Sequence, residues 1–309
     1  MPIKIPRTLP AFEILQDEGV MVMSEKEADR QDIRPIRIAL LNLMPMKIET
    51  ETQFARLIGS TPLQIELTLV KMTSHVSKNA TALHMKSFYK EFSMVSKQKF
   101  DGFLITGAPI EHLEFEQVNY WQELQEIFSW TQSNVHSTMA VCWGAMAMMN
   151  FFYKVPKYSL KKKAFGCFEH INLAPENKFI RGFTDRVTVP VSRWSEVRES
   201  DIKQLSSLEI LLSSDEIGPC LIDDRKHRAI YMINHLEYDT LTLKSEYFRD
   251  RILDEKTAKP KSYFPSNDIN QTPLNLWRNH GHLLFSNWVN EIYQNTPYEH
   301  SNIGKYSNY

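Results

Sequence analysis

Cysteine is scarce in this 309-residue chain: Cys142, Cys167 and Cys220 are its whole complement. Three thiols make an odd, sparse set, far from a disulfide framework, and their spacing fits no zinc pattern. A reducing compartment and no metal site are therefore expected. Long hydrophobic runs are missing as well. No window approaches the roughly 20 apolar residues that cross a bilayer, and Met1-Pro2-Ile3-Lys4-Ile5-Pro6 lacks the continuous apolar segment of a secretory leader. Nor does one charge prevail. Lys and Arg number 36 against 37 Asp and Glu, scattered along the chain, which leaves no electrostatic footprint for nucleic acid or an anionic membrane. Repeats and low-complexity blocks are absent too. These absences describe a soluble cytoplasmic protein with small-molecule partners, no nucleic acid and no membrane.

What the chain does have is a regular alternation. Length alone allows one large domain or two smaller ones. Residues 1–35, rich in proline and charge around a short apolar piece at 19–23, read as an N-terminal arm. From residue 36, apolar runs of strand length at 36–43, 63–70, 103–106 and 138–142 alternate with helical spacing at 48–58, 82–94, 120–131 and a helix-forming run after Gly144. This is the pattern of an α/β fold: a flavodoxin-like, mostly parallel sheet covered by helices on both faces, with ligands at the carboxyl ends of its strands. Beyond residue 155 the alternation loosens. Strands are expected at 186–191, 208–212 and 228–233, a helix at 240–253, and a long amphipathic helix at 274–293 as a C-terminal helical extension. The domain so delimited spans 36–296, followed by a polar tail at 297–309.

One turn stands out chemically. Ala140-Val141-Cys142-Trp143-Gly144 ends an apolar run just before the helix formers Ala145-Met146-Ala147-Met148-Met149. A sharp strand-to-helix turn exposes its side chain to free backbone N–H groups and the helix dipole, which favour thiolate over thiol. Cys142 is the candidate nucleophile, and a buried structural cysteine is the plain alternative. His235 and Glu237 fall on one side of an extended backbone. A carboxylate beside an imidazole fixes its tautomer and supports its protonated form, as a base serving a cysteine requires. His-x-Glu alone is weak, and it gains weight at the end of a strand in the same expected sheet. His280 and His282, spaced like metal ligands, lack an acidic or thiol partner nearby and read as helix-surface or packing residues. Cys167 and Cys220 receive no catalytic role, and Trp143, Trp130, Trp277 and Trp288 read as core.

Four ordered segments carry a resemblance: Asn42-Leu43-Met44-Pro45-Met46-Lys47-Ile48-Glu49-Thr50-Glu51, Asp101-Gly102-Phe103-Leu104-Ile105-Thr106-Gly107-Ala108-Pro109, Val141-Cys142-Trp143-Gly144-Ala145 and His235-Leu236-Glu237-Tyr238. With Gln31-Asp32-Ile33-Arg34-Pro35 upstream and residues 275–288 downstream, nearly the whole chain resembles the homoserine O-acyltransferases of methionine biosynthesis, which have the class I glutamine-amidotransferase fold. The resemblance implies ping-pong acyl transfer. Cys142 would take the acyl group of an acyl-CoA as a thioester and pass it to the γ-hydroxyl of L-homoserine. His235 would move the protons and Glu237 would orient His235. The Trp143 N–H, with Lys47 as a second donor or positive charge, would hold the oxyanion.

Carried over from the family, the homoserine contacts fall on Lys163, Ser192 and Arg249. A guanidinium suits the α-carboxylate. Without the resemblance, Arg249 reads as a helix-surface residue pairing with neighbours such as Glu246, and Lys161-Lys162-Lys163 as a solvated turn. The family's donor choice is associated with the position of Glu111, glutamate going with acetyl-CoA and glycine with succinyl-CoA. A carboxylate there fills space and repels the distal carboxylate of a succinyl group. The implied activity is homoserine O-acetyltransferase, with acetyl-CoA as co-substrate and no other cofactor. A succinyltransferase on the same scaffold, a glutaminase-like or peptidase-like hydrolase and a non-catalytic binding protein are the alternatives. The family is often homodimeric, and no pattern in the sequence marks an interface.

Overall fold

The computed structural model of the chain describes residues 3–24, 34–74 and 81–304. The motif residues Gln31, Asp32 and Ile33, with parts of the N-terminal arm and polar tail, lie outside them. The described strands form one sheet: β1 (Ile3–Lys4), β2 (Val22–Met23), β3 (Ile36–Leu41), β4 (Ile65–Lys71), β5 (Tyr89–Glu91), β6 (Phe100–Ile105), β7 (Val135–Val141), β8 (Tyr158–Asn172), β9 (Arg186–Glu196), β10 (Leu208–Ser214), β11 (Gly218–Asp224) and β12 (Ala229–Met232). Their order is β2-β1-β4-β3-β6-β7-β12-β11-β10-β8-β9, with β5 beside β4. Pairings from β2 through β12 are parallel, and those from β12 to β9 are antiparallel. The expected parallel sheet is present, and an antiparallel wing extends it.

The strand sequences explain why both faces are covered. Side chains alternate across a sheet. Ile38 and Leu40 of β3, Met139 and Val141 of β7, and Ile230 and Met232 of β12 enter one core, shared with Phe54, Leu57, Leu284, Phe285 and Trp288 of the helices Lys47–Ile58 and Arg278–Asn295. Ala39 and Leu41, Ala140, and Ala229 and Tyr231 enter the other, with Leu124, Ile127 and Phe128 of the helix Trp121–Asn134 and the run 145–149 of the helix Trp143–Tyr153. Strands buried on both sides read as continuous apolar runs, which is why these were legible.

Three readings of the sequence need correction. The stretch 82–94 is no single helix: Ala82–Phe88 and Phe92–Val95 are helical, and β5 lies between them because Tyr89 continues in extended conformation beside β4. Strands β8 and β11 come in addition to those expected beyond residue 155. Lys161-Lys162-Lys163 is not a turn; it lies inside β8 where the pairing with β9 slips, from Ser159 opposite Ser195 to Ala164 opposite Arg193. Such a bulge spends extra residues on one strand and re-aims their side chains. The arm contributes β1 and β2 to the sheet edge, together with the helix Pro10–Asp17.

Candidate active site

Strand β7 ends at Val141, and Cys142 caps the helix Trp143–Tyr153 with φ 50° and ψ −120°. A side chain at positive φ costs about 1–3 kcal/mol and persists only where its surroundings dictate it. Those surroundings are close-packed. The Cys142 N–H donates to the Met232 carbonyl at 2.7 Å, and a Cβ on Gly107 would lie 3.1 Å from Cys142 Cβ. A Cβ on Gly144 would meet the Thr106 carbonyl oxygen at 2.5 Å, so only glycine lets the helix start this close to the end of β6. Thr106 Oγ1 accepts from the Leu43 N–H at 2.7 Å and donates to the Gly107 carbonyl at 3.0 Å. The loops after β3 and β6 and the elbow after β7 are thereby tied together at the carboxyl ends of their strands.

Strand β12 brings the base. Its parallel register sets Met232 opposite Val141, so residues just beyond it reach the elbow. The His235 N–H donates to the Pro190 carbonyl at 3.0 Å, and His235 Nδ1 bonds Glu237 Oε1 at 2.6 Å. The Tyr238 ring stacks on the imidazole at 4.1 Å between centroids. Both His235 and Glu237 are buried. Burial works against an imidazolium here, but the charge of Glu237 and then the charge and hydrogen bond of Cys142 outweigh it and hold His235 well above its ordinary pKa. Thiol, imidazole and carboxylate, 95 residues apart in sequence at their widest, form one connected set.

The three expected homoserine contacts lie on the antiparallel wing and the helix that follows. Ser192 sits on β9 opposite Phe165, two residues beyond the Pro190 that holds His235. Lys163 Nζ donates to Asp250 Oδ2 at 2.8 Å, lies 4.0 Å from Glu246 Oε2 and stands 4.2 Å from the centre of the Phe165 ring. Arg249 pairs with Asp250, not with Glu246, at 2.8 Å, and its side chain stays 60% exposed. Glu111 lies half-buried in the turn after β6, its backbone carbonyl accepting from Lys157 Nζ. Trp143 is fully buried at the first position of its helix, where a backbone N–H has no partner within the helix. Lys47 opens the helix after β3 and donates from Nζ to the Asn42 carbonyl at 2.5 Å. Burial lowers its ammonium to about 8, against the favourable charge of Glu51.

Three polar residues at the site escaped sequence reasoning. Arg193 is buried on β9, donating to Asn234 Oδ1 at 3.0 Å and to the carbonyls of Ser195 and Ile217 at 2.7 and 2.6 Å. Burial pulls its guanidinium down; Cys142 leads the neighbours that favour its charge, and Glu111 is among them. Asn234 passes this restraint to the loop bearing His235, its Nδ2 donating to His170 Nε2 at 3.0 Å. Glu246 accepts from the Tyr238 hydroxyl at 2.8 Å through Oε1, and its buried Oε2 has no hydrogen-bond partner among the described residues. No periodicity marks a buried arginine or asparagine, and only the alternation of β9 could have turned Arg193 inward.

The chemistry available is nucleophilic: a sulfur at a helix N-terminus, a base in reach, and a carboxylate behind it. Among the described residues no group of His, Cys, Asp and Glu could hold a metal ion, and no helix is long and apolar enough to cross a membrane.

Comparison with known proteins follows the same line. The sequence model of the homoserine O-succinyltransferase family matches residues 2–298. The chain is 59% identical to a homoserine O-acetyltransferase of Dinoroseobacter shibae over 304 residues, covering 98% of this chain and 100% of that protein. It is 57% identical over 305 residues to the protein of the same name from Roseobacter denitrificans, with 99% and 100% covered. Among solved structures it is similar to a putative GMP synthase protein from Thermoplasma acidophilum (TM-score 0.54, 12% identity, covering 85% of this chain and 96% of that one). A glutamine amidotransferase from Thermotoga maritima is a further match (TM-score 0.52, 11% identity, 84% and 99% covered). At such identities the structural likeness concerns the fold, which is that of the class I glutamine amidotransferases.

Proposed function

The chain belongs to the homoserine O-succinyltransferase family, and from that membership we propose that it is an acyltransferase of methionine biosynthesis that moves the acetyl group of acetyl-CoA to the γ-hydroxyl of L-homoserine. The observation that carries the mechanism is Cys142 on a strained elbow, hydrogen-bonded to a His235 that Glu237 holds. In the first half-reaction His235 takes the thiol proton as Sγ attacks the thioester carbonyl. The tetrahedral oxyanion rests on the Trp143 N–H with the positive charge of Lys47 behind it. Its collapse breaks the bond to the CoA sulfur, which leaves with the proton from His235. In the second half-reaction the homoserine hydroxyl gives its proton to His235 and attacks the acetyl-cysteine, and Sγ leaves and recovers that proton. One thioester replaces another, so the relay costs little free energy.

The acceptor is held by charge. Arg249 and Lys163 receive the α-carboxylate, Ser192 lines the approach to His235, and the unpartnered Oε2 of Glu246 accepts from the α-ammonium. Glu111 sets the donor: it shares the electrostatic neighbourhood of Arg193 with Cys142, where a second carboxylate from succinyl-CoA would be repelled. Relatives named homoserine O-acetyltransferase support this choice. No cofactor or metal takes part, acetyl-CoA entering as co-substrate. A reducing cytoplasm suits three free cysteines, and the homodimer common in the family belongs to the same reading.

Mass measurement of the intact protein mixed with each CoA ester tests it. One acetyl group should add to wild type from acetyl-CoA, nothing should add to Cys142→Ala, and homoserine should discharge the adduct. Glu111→Gly should turn the preference toward succinyl-CoA. A succinyl adduct on wild type with no acetyl adduct would defeat the donor assignment. Ammonia release from glutamine without acyl transfer would favour the hydrolase that the fold also accommodates.

A further inference from the structure

The parallel strands run in the order β4-β3-β6-β7, while the chain makes β3 first, β4 second and β6 third. The direction of winding therefore reverses between β3 and β6. At such a switch point the loops leaving two adjacent strands diverge to opposite faces and open a crevice, the general ligand position of open α/β sheets. Here that position holds a cavity of about 360 Å3, walled by the loop after β3 and the segment after β6. Cys142 stands one strand away, on β7, so the nucleophile adjoins the crevice rather than filling it. The bridge is short: Ala108 and Pro109 line the cavity, and the preceding Gly107 packs against the Cys142 side chain.

The lining has the character of a site for a long, amphipathic chain. Met44, Met72, Met85, Ile110 and Leu113 give apolar wall, much of it methionine, which adapts to an irregular ligand. Lys47 and Lys71 add positive charge, and Asn42 and Asn119 bring amides. Ile110 and Leu113 flank Glu111, so the wall continues into the residue that faces the acyl group. None of Lys163, Ser192, Glu246 or Arg249 lines it; the acceptor-side groups belong to β8, β9 and the helix Thr242–Leu253. The volume lies at the low end of the roughly 300–1,000 Å3 usual for small-molecule sites, enough for a flexible arm and too little for an arm plus a nucleotide.

We propose that this switch-point cavity receives the pantetheine arm of the acyl donor, delivering the thioester past Ala108 and Gly107 to Cys142 while the nucleotide stays outside. The assignment rests on the acetyl-CoA-dependent activity proposed above. Its test is a pair of donors that differ only in the arm: acetyl-CoA, and S-acetyl-N-acetylcysteamine, which ends after the first amide. Leu113→Trp fills the cavity from the segment after β6, and Met44→Trp fills it from the loop after β3, so either variant serves if the other does not fold. KM for acetyl-CoA should rise about tenfold or more, while kcat/KM for the short donor and KM for homoserine stay within about twofold of wild type. An unchanged KM for acetyl-CoA in the folded variants overturns the cavity assignment alone, as does an equal loss with both donors. Wild type that acetylates homoserine from neither donor overturns the activity, and this assignment with it.

Discussion

His235 is charged because of its neighbours. Burial disfavours an imidazolium, and the Glu237 carboxylate reverses that. Glu237→Gln keeps the shape and a hydrogen-bonding oxygen but removes the charge. The pH at which His235 loses its proton should fall, and kcat/KM should drop by about two to four orders of magnitude, the usual worth of acid–base catalysis. A pH–rate profile with imidazole NMR checks both, and an unmoved titration would show that the charge has another source. The same residue scale explains what the sequence concealed. Cys142, His235 and Glu237 were legible because each stands where an apolar run stops. Arg193, Asn234 and Glu246 were not, because their roles exist only through partners brought from distant segments, such as the Asn234 bridge between Arg193 and His170.

The elbow works as an element only if the helix Trp143–Tyr153 can start against β6. Gly144 permits that: an added Cβ meets backbone, not a movable side chain, at 2.5 Å. Gly144→Ala should therefore destabilise the protein by about 1–3 kcal/mol, the range for overpacking, and lower activity further by tilting Cys142 away from His235. Urea denaturation beside the acylation assay measures the two effects. Unaltered stability would mean that the helix shifts freely, and the strained φ of Cys142 would then need another cause. The charged stretch in β8 teaches the converse. Lys161-Lys162-Lys163 reads as a turn by composition, yet a bulge in a strand pair holds it and turns Lys163 toward Glu246 and Asp250.

Over the whole molecule, buried neutral histidines link stability to pH. Burial lowers both His136 and His170 to about 4. His170 is committed to its neutral form, Nδ1 donating to the Phe168 carbonyl at 3.0 Å and Nε2 accepting from Asn234. In the unfolded chain both titrate near about 6.5, so between that pH and about 4 the unfolded state binds more protons and stability falls as pH falls. Each site contributes on the order of 2–3 kcal/mol across the window. Melting temperature should decline from neutral pH toward pH ~5, before most carboxylates titrate, and His136→Phe should flatten the slope. An equal slope in that variant would remove His136 from the account. The sequence by itself determined the alternating strands and helices and the places where a nucleophile and its base stand, because apolar periodicity and turn chemistry are local. The tertiary structure alone decided the antiparallel wing, the bulged lysine, the buried Arg193 and the cavity at the reversal of winding, since pairing order, register and burial arise only when distant segments meet.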